Sequence, residues 1–398
     1  MSTGKPRLGQ VDGLRTIAVA MVVCFHYLDR WTTPTFALNI YPYGSTYAHH
    51  FLTYGAYGVQ LFFIISGFVI FLTLERCTSL IEFFVRRIVR LWPALILATF
   101  ATILIARSLA GSPPHASDTN SLLPSLTLIP KYVWGLLGVH TSGYADGVLW
   151  SLWIEIQFYL VAGIIFFVAR RYFLYVMTAI AVALSALTYV VLDHLGRGLG
   201  LHLSPRVAFH LREFLIGSNM EAHLWWFIFG MAMYQLWAGR SRTSNLVIAG
   251  IAIIFQELTS LHLAPWGPGK GPIFALVIVG IFALFAGGLY LPALGRVLSL
   301  RWMRKIGEAS YLMYLIHEVI GLTLVIWITR KLHWSGPTSI IAAIGVLVVL
   351  LGVCRLSFRY FETPSQRALM SAYRRFARAT TPQRSLTKSP PEGSRSTP

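Results

Sequence analysis

The sequence predicts an all-α integral membrane protein, a polytopic bundle of about ten transmembrane helices. Three observations predict it. Of 398 residues, 56% are hydrophobic and only 12% charged, against about 25% charged in soluble domains, and mean hydropathy is +0.63. Apolar runs of spanning length recur along the chain. Basic residues collect in alternate loops. A chain this long exceeds what one soluble core usually fills, yet it accommodates ten spans of roughly 20 residues with their loops. Disordered, fibrous and small disulfide-framework classes are excluded. Cys24, Cys77 and Cys354 lie far apart and read as small hydrophobes without a redox role.

The apolar runs fall at 14–29, 53–74, 88–109, 147–169, 172–192, 222–238, 245–258, 272–289, 307–329 and 338–358; the first, seventh and eighth are short. Lys5 and Arg7 ahead of the first run imitate a signal peptide, but no small-residue cleavage pattern follows and the run contains Arg15 and His26, so it is kept as a span. With the amino terminus in the cytoplasm, inner segments and tail hold about 22 Lys and Arg against about nine outside, which places both termini inside. The formal charge of +18 is therefore a topology signal, and no nucleic-acid partner is expected. The chain divides into a cytoplasmic segment 1–13, a transmembrane domain 14–358 and a basic, partly disordered cytoplasmic tail 359–398. The tail faces anionic membrane lipid and should be disordered from about 380, where Thr, Pro, Ser and Arg dominate.

Two outer loops are long. One, 110–146, carries Pro113, Pro114, Pro124 and Pro130 around an apolar stretch and is read as re-entrant or interfacial. The other, 193–221, carries His194, His202 and His210, whose irregular spacing is unlike a zinc pair, so no metal is expected. No repeat at fixed period occurs, which disfavours an inverted-repeat transporter.

Ionisable residues within the spans are the functional candidates, because a charge in hydrocarbon is costly and faces a cavity or a partner. In DGLRTIAVAMVVCFHYLDR, Arg15 and His26 are eleven residues apart, three helical turns and about 16 Å along one face, and Asp12 is one turn from Arg15 and able to pair with it. The plainer reading is a snorkelling arginine and a histidine satisfied in the bundle. In FFVRRIVRLWPA, Arg87 and Arg90 at i, i+3 form a two-pronged cation suited to phosphate, or ordinary inner anchors, as Arg86 is. In GVLWSLWIEIQFYLV, Ser151, Glu155 and Tyr159 share a face, with Glu155 either functional or paired to an arginine. In GEASYLMYLIHEVI, Ser310, Tyr314 and His317 share a face.

These segments in this order, with GVQLFFIISGFVI and FRYFETPSQR, resemble the acyltransferase 3 family of bacterial inner-membrane O-acyltransferases, over about residues 8–368. The family's arginine, ten residues, histidine motif matches Arg15 and His26; its arginine, two residues, arginine motif matches Arg87 and Arg90; its WSL motif with a downstream glutamate matches Trp150, Ser151, Leu152 and Glu155. Ile156, Gln60 and Thr16 depart from the common glutamate, aspartate and glycine. No appended extracytoplasmic esterase-like domain is expected.

The resemblance implies an acyl coenzyme A donor, expected to be acetyl coenzyme A, and a hydroxyl acceptor on a sugar, surface polysaccharide, glycolipid or glycoside. It implies Arg15, Arg87 and Arg90 on the donor's phosphates, and His26 as general base or acyl carrier. Glu155 would orient His26 or the acceptor. Asp12, Trp150, Ser151, Tyr159 and His317 would support the substrates. A proton-coupled or anion transporter using the same buried Arg, His and Glu residues, and a noncatalytic scaffold, are the alternatives.

Overall fold

A computed structural model describes residues 8–30, 50–109, 114–197, 220–263 and 272–380. Helices α1 Gly9–Phe25, α2 Gly58–Leu74, α3 Leu80–Ser108, α4 Leu122–Thr127, α5 Lys131–Leu136, α6 Trp150–Val168, α7 Phe173–Arg197 and α8 Glu221–Trp237 lead into α9 Arg242–Leu263, α10 Pro272–Tyr290, α11 Pro292–Leu298, α12 Arg301–Ile316, α13 Val319–Leu332, α14 Pro337–Ser357 and α15 Thr363–Thr380. Among the described residues no strand occurs. Among the described residues, eight helices are long and apolar enough to cross a membrane, nine when α12 and α13 count as one span.

Helix α8, at 17 residues, fills the place of the predicted span 222–238. Its residues from Leu224 to Tyr234 are buried, which explains a sequence apolar all round. Against it lies α2, with Gly67 and Gly230 where the two backbones cross: a Cβ on Gly67 would sit 2.1 Å from the Phe227 oxygen, and one on Gly230 2.0 Å from the Ile64 oxygen. Small residues at such crossings let membrane helices pack closely. Aromatic rings complete the joint, with Phe63, Phe158 and Phe227 stacked in series. Helix α3 instead exposes Ile96, Phe100 and Leu104, and α14 exposes Ile341, Ile344 and Val348, the outward faces that lipid covers.

The structure corrects one expectation. The span 307–329 is broken, with 74° between α12 and α13 at His317 and Glu318. A helix breaks cheaply only where its freed backbone groups find other partners, and here they do. The Tyr27 hydroxyl donates to the His317 carbonyl at 2.7 Å, and the Val319 N–H donates to Asp146 Oδ2 at 3.2 Å. Gly321 makes room for the first of these, since a Cβ there would meet Tyr27 Oη at 1.8 Å.

The first part of the segment expected to be a partly disordered tail, from 359, is helical. The chain stays ordered through a π-turn, Phe358–Glu362, into α15, which packs on α3; Gln366 Nε2 reaches the Arg90 carbonyl at 3.5 Å. The disorder expected from about 380 concerns residues outside the described set. Of the loop 110–146, residues from Pro114 on form short helices pinned by Trp92 Nε1–H donating to the Leu126 carbonyl at 3.1 Å and Tyr144 to the Leu128 carbonyl at 2.8 Å. Donors on Ser142 and Asn120 hold the Asp118 carboxyl below the usual aspartate range.

Candidate active site

Helix packing brings six of the ten predicted residues to one cavity of about 760 Å³, open mouth included, enclosed by α1, α2, α3, α6 and α12. Arg15, Arg87 and Arg90 line it together with Ser66, Ser151, Glu155, Tyr159, Ser310, Tyr311 and Tyr314. Asp12 pairs with Arg15, Oδ1 to Nη1 at 2.8 Å, as its one-turn offset predicts. Thr16 donates to the Met303 carbonyl at 2.5 Å, locking this stretch of α1 to α12.

Arg87 and Arg86 are adjacent in sequence and opposite in environment. Arg86 forms an ion pair with Glu82 at 2.6 Å, the inner-anchor arrangement. Arg87 turns into the bundle, donates from Nη2 to Thr73 Oγ1 at 2.9 Å, and places its guanidinium 5.7 Å from the centroids of both the Phe83 and the Tyr159 rings. Its Nε is buried without a hydrogen-bond partner. A fixed cation among aromatic faces and hydroxyls, with a donor unfilled, is suited to an anionic ligand.

Glu155 accepts from Ser66 Oγ and from Tyr159 Oη, both at 2.5 Å on Oε1. It therefore faces the arginine cavity, and its partners are these hydroxyls; His26 has other neighbours. Toward the predicted outer side, Ser151 and Tyr314 close the cavity with their oxygens 2.7 Å apart; both lie within reach of the Val148 carbonyl, so one hydroxyl donates to the other and that one to the carbonyl. Trp150 does not line the cavity; its ring packs against His223, centroids 5.5 Å apart.

Beyond the Ser151–Tyr314 contact lies a second cluster. Helix α1 runs unbroken from Arg15 to Phe25, and His26 opens a single π-turn, His26–Arg30, a distortion frequent at functional sites. His26 Nδ1 lies 2.8 Å from the Val22 carbonyl. A carbonyl only accepts, so Nδ1 carries the hydrogen and the lone pair sits on Nε2. His317 likewise commits Nδ1 to the Tyr314 carbonyl at 2.8 Å and turns Nε2 to His26 Nδ1 at 3.2 Å. Glu318 faces His26 Nε2 at 3.6 Å through Oε2 and Arg30 Nε at 3.5 Å through Oε1. All but Arg30 are buried.

Sequence reasoning missed Glu318, Arg30, Ser66 and Asp146. Glu318 stands inside the quoted GEASYLMYLIHEVI segment, but a straight helix through it points position 318 away from position 317; only the break turns both toward α1. The histidines of 193–221 have side chains outside the described set, and among the described residues no group of three His, Cys, Asp or Glu is arranged to hold a metal ion.

A family model described as an acyltransferase domain matches residues 8–359. The chain is 28% identical over 325 residues, 80% of its own length and 92% of the relative's, to the exopolysaccharide production protein ExoZ of Rhizobium meliloti. It is 24% identical to nodulation protein 10 of Rhizobium leguminosarum, covering 79% of this chain and 83% of that one. To the peptidoglycan O-acetyltransferase OatA of Listeria monocytogenes it is 23% identical over 90% of this chain, which spans only 55% of OatA. No solved structure matches.

Proposed function

The chain belongs to the acyltransferase 3 family of membrane O-acyltransferases, and from the cavity we propose that it moves an acyl group, acetyl by expectation, from acyl coenzyme A to a hydroxyl of a carbohydrate or glycoside acceptor. In this reading the protein lies in a bacterial inner membrane with both termini cytoplasmic. The donor enters from the inner side and transfer occurs at the outer cluster. The observation that carries the reading is the convergence of Arg15, Arg87 and Arg90 on one cavity whose far end abuts the His26, His317 and Glu318 cluster.

The arginines provide bidentate donors for the donor's phosphates, and the cavity walls, Phe62, Phe63, Val69 and Leu152 among them, suit an extended thioester arm. The partition of Ser151 and Tyr314 must part for the acyl group to pass. At the cluster His26 Nε2 is the base: the acceptor hydroxyl gives it a proton, the oxygen bonds the acyl carbon, the carbon–sulfur bond breaks, and the imidazolium returns the proton to the thiolate. Glu318 at 3.6 Å stabilises the imidazolium while it exists. That gap exceeds a hydrogen bond, which leaves Nε2 able to take a hydroxyl. A carboxylate beside Nε2 favours the base role over an acyl-carrier role. The transporter alternative is not favoured, since the relatives include named O-acetyltransferases.

The test is purified protein in nanodiscs with labelled acetyl coenzyme A and sugar acceptors, comparing wild type with His26→Ala. Label transfer or thiol release by wild type, abolished in a normally inserted His26→Ala protein, is the expected result. Absence of both activities from folded wild type overturns the acyl coenzyme A assignment, and a fully active His26→Ala removes the histidine from the mechanism.

A further inference from the structure

The break between α12 and α13 is where the proposed base gains its carboxylate, and one side chain outside both helices holds it. Asp146 lies in the loop leading into α6 and is 3% exposed. Its Oδ1 accepts the Val148 N–H at 3.1 Å, starting the turn that leads to Ser151. Its Oδ2 accepts the Val319 N–H at 3.2 Å, filling the place of the carbonyl that a continuous helix would supply. Glu318, itself 4% exposed, lies beside this turn: a Cβ on Gly147, the residue after Asp146, would lie 3.4 Å from Glu318 Oε2.

We propose that Asp146 is a positioning residue of the transfer site, tying the start of α6 to the break after α12 and holding Glu318 against His26. The inference rests on the acyl-transfer reading for its activity assay only. Two buried carboxylates so close repel, which favours a proton on one of them. Burial first, and the Glu318 charge second, push the Asp146 carboxyl well above the usual aspartate range. The other groups facing this pair are His26 and Arg30 from the π-turn and Tyr314 and His317 from α12. Arg30 Nε faces Glu318 Oε1 at 3.5 Å, and a proton held on Asp146 spares the site two adjacent anions.

The sign follows. A proton bound in the native site is lost as pH rises, so the arrangement is intact at lower pH and loosens when the Asp146 proton leaves. Asparagine keeps an acceptor for one backbone N–H and offers Glu318 an N–H that cannot ionise.

The test uses the full-length protein in nanodiscs, with thiol release from acetyl coenzyme A and glucose as acceptor. Asp146→Ala should lower kcat at least tenfold with donor KM within twofold of wild type. Asp146→Asn should retain folding and lose the alkaline fall of kcat that wild type shows. Infrared spectroscopy, independent of activity, should show a protonated carboxyl band in wild type that disappears in Asp146→Asn. Wild-type kcat in Asp146→Ala, superposed pH profiles for Asp146→Asn, or an unchanged carboxyl band would overturn the proposal. If wild type releases no thiol, the acyl-transfer reading fails, while the infrared band still decides whether Asp146 holds a proton.

Discussion

Arg87→Gln isolates the donor site. The side chain has a hydroxyl partner in Thr73 and two ring faces, no carboxylate within ion-pair distance among the described residues, and a buried Nε with nothing to donate to. Removing it therefore breaks no internal ion pair, and the folded protein without ligand should melt close to wild type. A phosphate, in contrast, loses charge-assisted hydrogen bonds of about 1.5–3 kcal/mol. Since about 1.4 kcal/mol is tenfold in affinity, the donor KM should rise roughly 10- to 150-fold, with kcat at saturating donor changed much less. Arg86→Gln is the control: its guanidinium is spent on Glu82, so donor KM should stay within about twofold. Steady-state kinetics with acetyl coenzyme A titrated in nanodiscs reads both, and thermal shift with coenzyme A reads binding without turnover. An unchanged KM and an unchanged coenzyme A shift in well-folded Arg87→Gln would show that Arg87 is a structural cation between two aromatic rings and would refute the phosphate assignment.

Glu155→Gln should chiefly lower turnover at saturating donor, because the carboxylate organises the Ser66 and Tyr159 hydroxyls inside the cavity and holds no arginine directly; a rise in donor KM with unchanged kcat would contradict that. Gly321→Ala should destabilise the protein by about 1–3 kcal/mol, since its methyl would occupy the space of the Tyr27 hydroxyl. Adding Tyr27→Phe should return part of that loss in a melting assay, and full additivity of the two changes would mean that they do not meet. Reporter fusions after about residues 82, 240 and 303 should report cytoplasm and those near 40, 200 and 333 the outside, from the inner excess of basic residues; outside signals at 82 and 303 would put Arg87 and Arg90 beyond the reach of cytoplasmic donor.

What sequence reading could reach was local. Hydropathy is summed over about 20 successive residues, and each predicted apolar run coincides with a helix or helix pair. Facing positions on one helix follow from 3.6 residues per turn, so Asp12 with Arg15, and Glu155 with Tyr159, were legible before any fold. The resemblance carried the arginines and His26 as a set. Which groups meet across helices was not legible, because that depends on rotation and depth of helices far apart in the chain. Hydrophobicity fixes neither within a membrane, where every outward face is equally apolar. Glu155 reaches Ser66 across 89 positions, while His26 meets His317 across 291. The break after His317 lies beyond local pattern for the same reason: GEASYLMYLIHEVIGL reads as one helix until Tyr27 takes a carbonyl and Asp146 an N–H. Hydropathy and helical period dictate the bundle, its apolar runs and the cations on their faces; that Glu318 and not Glu155 stands beside His26 follows from packing, which alone brings a tyrosine and an aspartate to the backbone groups whose capture bends that helix.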